Sequence, residues 1–529
     1  MAIIVSNIKT GLQHDRNFIF EVAAKTAKLN PKQIKDIYLV KSSVDARKKN
    51  NIHLVSSVCI VPFGDEEAFV RKANSKDVQL QKTEEISFVC GSQKLENPPV
   101  IVGFGPAGMF AGLVLARLGY KPIILERGQD VDSRILSVNN FWQNKVLDRN
   151  SNVQFGEGGA GTFSDGKLTT RISDSRCSYI LNEFISHGAP EEIRYKQKPH
   201  VGTDYLRTVV KEIRKEIISL GGEVRFGVCM QKLIIKNSSV CGVITNQGDI
   251  LTSQVILAVG HSSRDTFKNL LEQDIFIESK PFSVGVRVEH PQTLIDEGLY
   301  GSYVGHPALP KGEYQLSHRV NNRGVYTFCM CPGGLVVPSS SEDDTIVTNG
   351  MSYFARDGLN ANSAVVVSVD ADDFGKDALA GVRFQQKLER DAFRLAGSSY
   401  AAPAQTVSSY LGGNLSLEKC STKPSFACGV EECDLNNLFP EQINKMLHLG
   451  FSVFNSKIRG FGGEKAVITG PETRTSSPIR ITRGENLQAI GISGLYPCGE
   501  GAGYAGGIVS AAVDGVRIAQ KIAEVFKPL

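Results

Sequence analysis

The stretch PPVIVGFGPAGMFAGLVLARLGYKPIILERG, residues 98–128, constrains the fold more than any other part of the chain. It reads strand, glycine turn, helix, strand, with Gly-x-Gly-x-x-Gly at Gly103, Gly105 and Gly108. Each glycine has its own task. Gly103 makes the tight turn, Gly105 lets a pyrophosphate approach the backbone, and Gly108 lets the helix pack closely on the strand. Pro106 and Ala107 open the helix, whose N-terminus offers free N–H groups and a positive dipole end to phosphate. Glu126 closes the second strand, 18 residues beyond Gly108, with Arg127 beside it. A carboxylate there is placed to accept hydrogen bonds from ribose hydroxyls. Strand before, helix after and acid downstream are the context a dinucleotide turn requires.

A second match, GEGGAG at Gly156 to Gly161, fails that test. Polar residues precede it, TFSDGKL does not begin an apolar helix, and no ribose acid follows. It is not a second nucleotide turn. Composition leaves two readings open: a surface loop, or a glycine-rich loop against a flat ligand. On the second, Gly158, Gly159, Thr162, Ser164, Gly166 and Lys167 are the candidate contacts.

Bulk properties narrow the class. The net charge is +4, and residues 1–90 carry all of it, with 14 Lys and Arg against 10 Asp and Glu. So small an excess makes a nucleic-acid or membrane-surface partner a poor expectation. The charge-free run Asn97 to Ala116 is interrupted by Gly103, Gly105, Pro106 and Gly108 and reads as the nucleotide turn rather than a membrane span. Eleven dispersed Cys and a start without a signal peptide predict free thiols in a reducing cytoplasm. There is no C-x-x-C or H-E-x-x-H, so no metal site is expected.

The expected fold class is α/β: a doubly wound, Rossmann-like FAD/NAD(P)-binding domain with an inserted α+β cap and an N-terminal ferredoxin-like α+β domain. Residues 1–95 read β-α-β-β-α-β, with ISFVC (Ile86 to Cys90) as the last strand. Residues 96–280 form the first part of the nucleotide-binding domain and 448–529 the second. Residues 281–447, with FSVGVRV, GVYTFCM, AVVVSVD and one long helical segment, form the cap or substrate domain.

Two further segments bear on which nucleotide is bound. ILTSQVILAVGHSS ends a strand in a small-residue turn at Ala258, Val259 and Gly260, after a hairpin-like segment containing Met230. Flavoproteins of the glutathione-reductase type carry a similar strand. GLYPCGEGAGYAGGIVSAAVDGVRIAQKIA runs from a strand through Gly499 and Glu500 into a helix beginning near Ala505, Gly506, Gly507 and Ile508. That helix end would face the pyrimidine edge of a flavin. With VIVGFGPAGMFAG, FGEGGAGTFSDGKL, KPFSVGVRVEHPQ, GVYTFCMCPGG, NGMSYFARDG and GPETRTSSPIRI, these stretches resemble the FAD-dependent dehydrogenases often labelled NAD(FAD)-utilizing dehydrogenases, over nearly all the chain after residue 95. The resemblance implies FAD held by Gly103, Gly105, Gly108, Glu126 and the Gly499–Gly507 region. It also implies that the Gly156–Lys167 loop lies near the flavin ring. It names no substrate.

The expected function is therefore hydride transfer between bound flavin and a small organic substrate. The alternative is an RNA-associated or regulatory flavoprotein. NAD(P)H is at most a transient donor, because no second complete dinucleotide unit, with strand, glycine turn, helix and a ribose acid after the next strand, occurs. Cys329 and Cys331 could be a redox dithiol or could pack on one face of a strand. Cys498 reads as packing. His290, His306 and His318 are acid or base candidates; Arg287, Arg356, Arg383 and Arg474 are carboxylate-clamp candidates, with Arg474 and Thr475 foremost on the substrate side.

Overall fold

The structure is a computed structural model that describes residues 2–81 and 86–529; Met1 and residues 82–85 lie outside the description. At the N-terminus, four antiparallel strands lie in the order Ile34–Asp45, His53–Pro62, Ala2–Gly11, Val78–Gln81. Helices Arg16–Thr26 and Glu66–Ala73 cover one face. Each starts on an aspartate, Asp15 or Asp65, whose carboxylate accepts N–H groups of the first turn. Ile3, Val5, Val58 and Ile60 are buried beneath them. The strand expected at Ile86 to Cys90 is not formed, and Val78–Gln81 takes its place. The hydrogen bonds of residues 87–93 go instead to the C-terminal helix, where Gly91 N donates to Ala523 O and Gln520 Nε2 to Ser87 O.

The nucleotide-binding part is a five-stranded parallel sheet, in the order Leu495–Pro497, Val255–Leu257, Val100–Val102, Ile123–Glu126, Glu223–Phe226. Its three inner strands are short apolar runs because both faces are covered. Helices Pro106–Arg117, Gly202–Ser219 and Ile508–Ala523 pack on one face. On the other lie helix Arg264–Leu271 and a three-stranded meander within residues 230–251. The predicted hairpin is thus a meander, and its leading segment, Glu223–Phe226, joins the parallel sheet. The two helices nearest the glycine turns meet at backbone distance: a Cβ at Gly515 would stand 2.1 Å from Ala107 O.

A second, seven-stranded sheet runs from Phe282–Pro291 to Val467–Glu472 in sequence. It is antiparallel except for the edge pair Ala402–Thr406 and Val430–Glu432. Helices Ala380–Leu395 and Glu441–Lys457 cover it. Residues 448–472, expected to belong with the returning nucleotide-binding part, lie here: Val467–Glu472 pairs with Phe282–Pro291 and Ala402–Thr406. The run VITGPE is buried along its whole length, as an inner strand requires, and carries no marker of which sheet receives it. The chain leaves the nucleotide-binding part and returns to it through adjacent antiparallel strands, Ile277–Ser279 and Ile479–Ile481. Among the described residues, no helix is long and apolar enough to cross a membrane.

Gly108 carries the close packing of the first helix. A Cβ there would stand 1.9 Å from Gly103 O. Replacing glycine by alanine inside a helix ordinarily stabilises by up to about 1 kcal/mol. Gly108→Ala is expected to reverse that sign, costing roughly 1–3 kcal/mol through overpacking and lowering the midpoint of thermal unfolding followed by circular dichroism. A raised midpoint would show that the helix has room to spare.

Candidate functional site

The first glycine turn adopts the expected form. Gly103 sits at φ +102°, Gly105 caps the helix without a side-chain partner, and Pro106 takes the first helical position. At Gly105 the nearest atom to an added Cβ is Gly159 Cα, 3.7 Å away, so backbone is open to a ligand there. Gly108 packs on Gly103 and Ile101 and is not part of the cleft wall.

Glu126 has more to do than the sequence indicates. Its carboxylate accepts Phe104 N at 2.8 Å and both Gly128 N and Gly156 N at 2.9 Å. Three of roughly four lone-pair sites are thereby used inside the protein. The acid still lines the cleft, beside Arg127, whose guanidinium lies 4.4 Å from the centre of the Phe155 ring and bonds Asp265 and Thr266.

The two glycine motifs form opposing walls of one site. Gly158 N donates to Phe104 O at 2.9 Å, and the Gly159–Phe163 turn lies against Gly105. Gly159, Ser164, Gly166 and Lys167 line the cleft; Gly158 and Thr162 lie behind the loop around a small apolar hole of about 10 Å³. The loop's hydroxyls bond the loop itself: Thr162 Oγ1 donates to Glu157 O and Ser164 Oγ to Gly161 O. Lys167 is paired with Asp165, which Arg356 also holds. Burial would raise the Asp165 pKa, but Lys167 and Arg356 hold it at about 2.

Arg134 sets the shape of this loop and was not identified from the sequence. It is fully buried and donates to Asn152 O, Glu157 O and Val153 O. Glu157 in turn accepts Val131 N and pairs with Arg214 at 2.9 Å. A readable signal existed. Arg134 stands in the apolar stripe Val131, Val138, Phe141 of its helix, where an unpaired charge would be costly.

Met230, Ala258, Gly260, Glu500, Ala505, Gly506, Gly507 and Ile508 also face the space, with Ala258 packed against Gly103. A Cβ on Gly260, Gly506 or Gly507 would meet nothing within 4 Å. Helix Ile508–Ala523 begins at Gly507, φ +94°, with no side-chain cap. Gly499 lies behind, its N–H donating to Asp514. Burial pushes the Glu500 carboxyl up to about 7, against the Gly507 N–H and Lys280, which lower it. His261, also missed in the sequence, lines the cleft; burial, then Arg474 and Arg264, lowers it to about 3, so its ring is neutral.

The substrate-side candidates divide. Arg474 reaches the cleft wall, but its guanidinium is committed to Glu389, Ser262 and Ser341. Thr475 exchanges hydrogen bonds with the Ser283 backbone. Arg287 is fully buried against Glu472, and Arg356 against Asp165. Arg383 is an exposed partner of Asp377. These arginines build walls; they are not free clamps. Of the three histidine candidates, His318 lines the cleft; His290 is buried with Nε2 on Phe461 O, and His306 caps Ala308 N. Cys329 faces the cleft, Cys331 is buried behind it, and Cys498 is buried in the wall. Among the described cations that line the cleft, those without an ion-pair partner are Arg171, Arg319 and Lys280. Polar sequence around the first two resembles any solvated loop, so only the tertiary cleft singles them out.

The cleft measures about 1670 Å³. A single small-molecule site is typically about 300–1,000 Å³, so this one has room for an extended dinucleotide and a second, smaller molecule. Two uncapped helix N-termini and a glycine cradle at one side suit the phosphates and ring of FAD. Residues 281–475 match the family described as FAD-dependent protein, C-terminal domain-like, and residues 2–60 match a domain of unknown function, DUF8436. The protein is FAD-dependent, and its cofactor is FAD. An uncharacterized protein of Clostridium beijerinckii (strain ATCC 51743 / NCIMB 8052) is 46% identical over 99% of each chain. The chain belongs to the same family as that clostridial protein. Among solved structures, a geranylgeranyl bacteriochlorophyll reductase-like protein from Thermoplasma acidophilum is 14% identical over 81% of this chain and 78% of its own, with a TM-score of 0.33. Glycine oxidase from Bacillus cereus ATCC 14579 is 12% identical over 81% and 95%, with a TM-score of 0.30. At these scores no detail of either structure transfers.

Two outcomes follow from the geometry. Arg134→Met leaves the buried carbonyls of Asn152 and Val153 without a donor and Glu157 O with Thr162 Oγ1 alone, and should cost roughly 3–5 kcal/mol; the purified variant should lose its flavin absorbance while far-ultraviolet circular dichroism stays native. The second concerns Glu500, whose folded pKa of about 7 lies above the ordinary 4.5. A raised acid pKa means the folded state holds the proton more tightly, so this group's stability is lost as pH rises from about 4.5 through about 7. Flavin-stripped Glu500→Gln should therefore melt higher than flavin-stripped wild type at pH 8, with the gap closing by pH 5. A gap that is constant with pH would contradict the titration.

Proposed function

We propose that the protein is an FAD-dependent oxidoreductase of the dehydrogenase type, moving a hydride between flavin and a small organic acid. The observation that carries this reading is one cleft with a glycine cradle at one side and unpaired Arg171, Arg319 and Lys280 elsewhere on its wall. Of the wall's acids, Asp165, Glu313 and Glu472 are committed to cations, Glu126 accepts three backbone N–H groups, and Glu500 is held partly protonated by burial. An incoming molecule therefore meets net positive potential, which favours a carboxylate.

When bound, FAD supplies the donor or acceptor of the hydride. The chain supplies orientation. The turns at Gly103–Gly105 and Gly506–Gly507 seat the dinucleotide; Glu126 and Arg127 flank its nucleotide end, and Glu500 lies beside the second turn. His318, on the strand Ser317–Val320, is the histidine placed to exchange a proton with a molecule in the outer cleft. NAD(P)H is proposed as a transient donor, consistent with the single nucleotide turn in the sequence.

We also propose that residues 1–95 are a ferredoxin-like module, as the strand order and the β-α-β-β-α-β succession support. The seven-stranded body is proposed as a cap inserted into the FAD-binding part; the adjacent exit and return strands support this.

The test is anaerobic. Purified holoprotein is mixed with hydroxy and amino acids, with their methyl esters, and with NADH and NADPH, and flavin bleaching is followed. Free acids should bleach where esters fail, and Arg171→Ala or Arg319→Ala should raise the acid's KM roughly tenfold, the loss of one charge-assisted hydrogen bond. Bleaching by esters and acids alike would remove the anionic-substrate reading.

A further inference from the structure

Cys329 and Cys331 lie on the strand Arg323–Cys331, which pairs with Asn360–Val369. Phe328 pairs with Ala364 and Cys331 with Asn362, so one extra residue is accommodated between them. Cys329 takes up that excess with φ +46°, a left-handed conformation that a side chain seldom adopts. The bulge keeps both sulfurs together while giving them different access. Cys329 is half-buried and faces the cleft; Cys331 is wholly buried, and its thiol donates to Cys329 O at 3.4 Å.

The surroundings favour negative charge on the outer sulfur. Arg287 donates to Cys329 O at 3.2 Å, and Lys167 adds positive potential, opposed by Glu472. The neighbouring Cys331 thiol, set against burial and helped by Arg287 and Lys167, holds the Cys329 thiol below its usual range. The thiolate is the reactive form of cysteine.

We propose that Cys329 and Cys331 form a dithiol–disulfide centre opening on the cleft, with Cys329 as the attacking thiol, Cys331 as the resolving thiol, and a low-molecular-weight disulfide as the reaction partner. The Cys329 thiolate attacks one sulfur of the small disulfide. A Cys329–S–S–R bond forms, and R–S⁻ leaves. Cys331 then gives its proton to the departed R–S⁻ and attacks the Cys329 sulfur, forming the Cys329–Cys331 disulfide and releasing the second R–S⁻, which water protonates. Two protein thiols are oxidised and one small disulfide is reduced to two thiols. The order is set by access, since nothing from solvent reaches Cys331 directly. This inference shares the cleft with the oxidoreductase reading but does not depend on its organic acid.

Both cysteines fall in one tryptic peptide, residues 324–356, with no other cysteine. Full-length holoprotein is treated with oxidised glutathione, remaining thiols are blocked with N-ethylmaleimide, and the peptide is weighed. Wild type should lose two hydrogens and take up no maleimide. Cys331→Ala should stop at a glutathione adduct on Cys329, and Cys329→Ala should leave Cys331 unmodified by glutathione. A wild-type peptide that keeps both thiols, or that carries a glutathione adduct without closing the internal disulfide, overturns the proposal. So does a Cys329→Ala variant that forms an adduct on Cys331. Flavin bleaching by organic acids, measured on the same preparation, succeeds or fails separately.

Discussion

One buried carboxylate gathers the backbone of three separate turns. Glu126 draws in the N–H groups of Phe104, Gly128 and Gly156, from the first glycine turn, the exit of the next strand and the entry to the second glycine loop. None of these turns has a regular ladder to satisfy its amides, and a buried N–H without a partner costs about 1–3 kcal/mol. The carboxylate therefore determines where the two glycine-rich segments lie relative to each other. With that distance set, Gly105 and Gly159 approach through their Cα atoms, and the cleft has two backbone walls.

Charge in the rest of the cleft follows the same logic of prior commitment. Arg134 holds the loop 152–157 by its carbonyls; Arg264 and Arg474 share Glu389; Arg287 takes Glu472; Lys167 and Arg356 share Asp165. Each buried ion has a partner, as the cost of an isolated buried charge demands. What remains for a ligand is the small set of cations with no partner, and a thiol pair that a bulge has turned toward the space. Rigid walls and a few uncommitted groups are what a site needs if it is to orient a cofactor and select a second molecule.

The legible parts were those where local sequence and final contact coincide. Gly103, Gly105 and Gly108 act within a single strand–turn–helix unit, so their roles follow from spacing alone, and the late Gly506–Gly507 turn could be read in the same way. The illegible parts depend on partners far away in sequence. Arg474 stands in a polar run that suggests ligand contact, yet Glu389, 85 residues earlier, takes its guanidinium. Thr162 looked like a ligand donor, but it bonds Glu157 O within its own loop. Ile86 to Cys90 reads as a strand until the C-terminal helix offers its end to the same backbone.

By itself the sequence determined the nucleotide turn, the helices that start on it and the separation of the chain into an early and a late nucleotide-binding piece, because backbone dihedral limits and apolar periodicity act over neighbouring residues. Only the tertiary structure decided that the second glycine motif faces the first, that Val467–Glu472 joins the seven-stranded sheet, and which charges stay free. Those outcomes rest on pairing between groups tens to hundreds of residues apart, where a charged side chain reads the same whether its partner is a buried carboxylate or water.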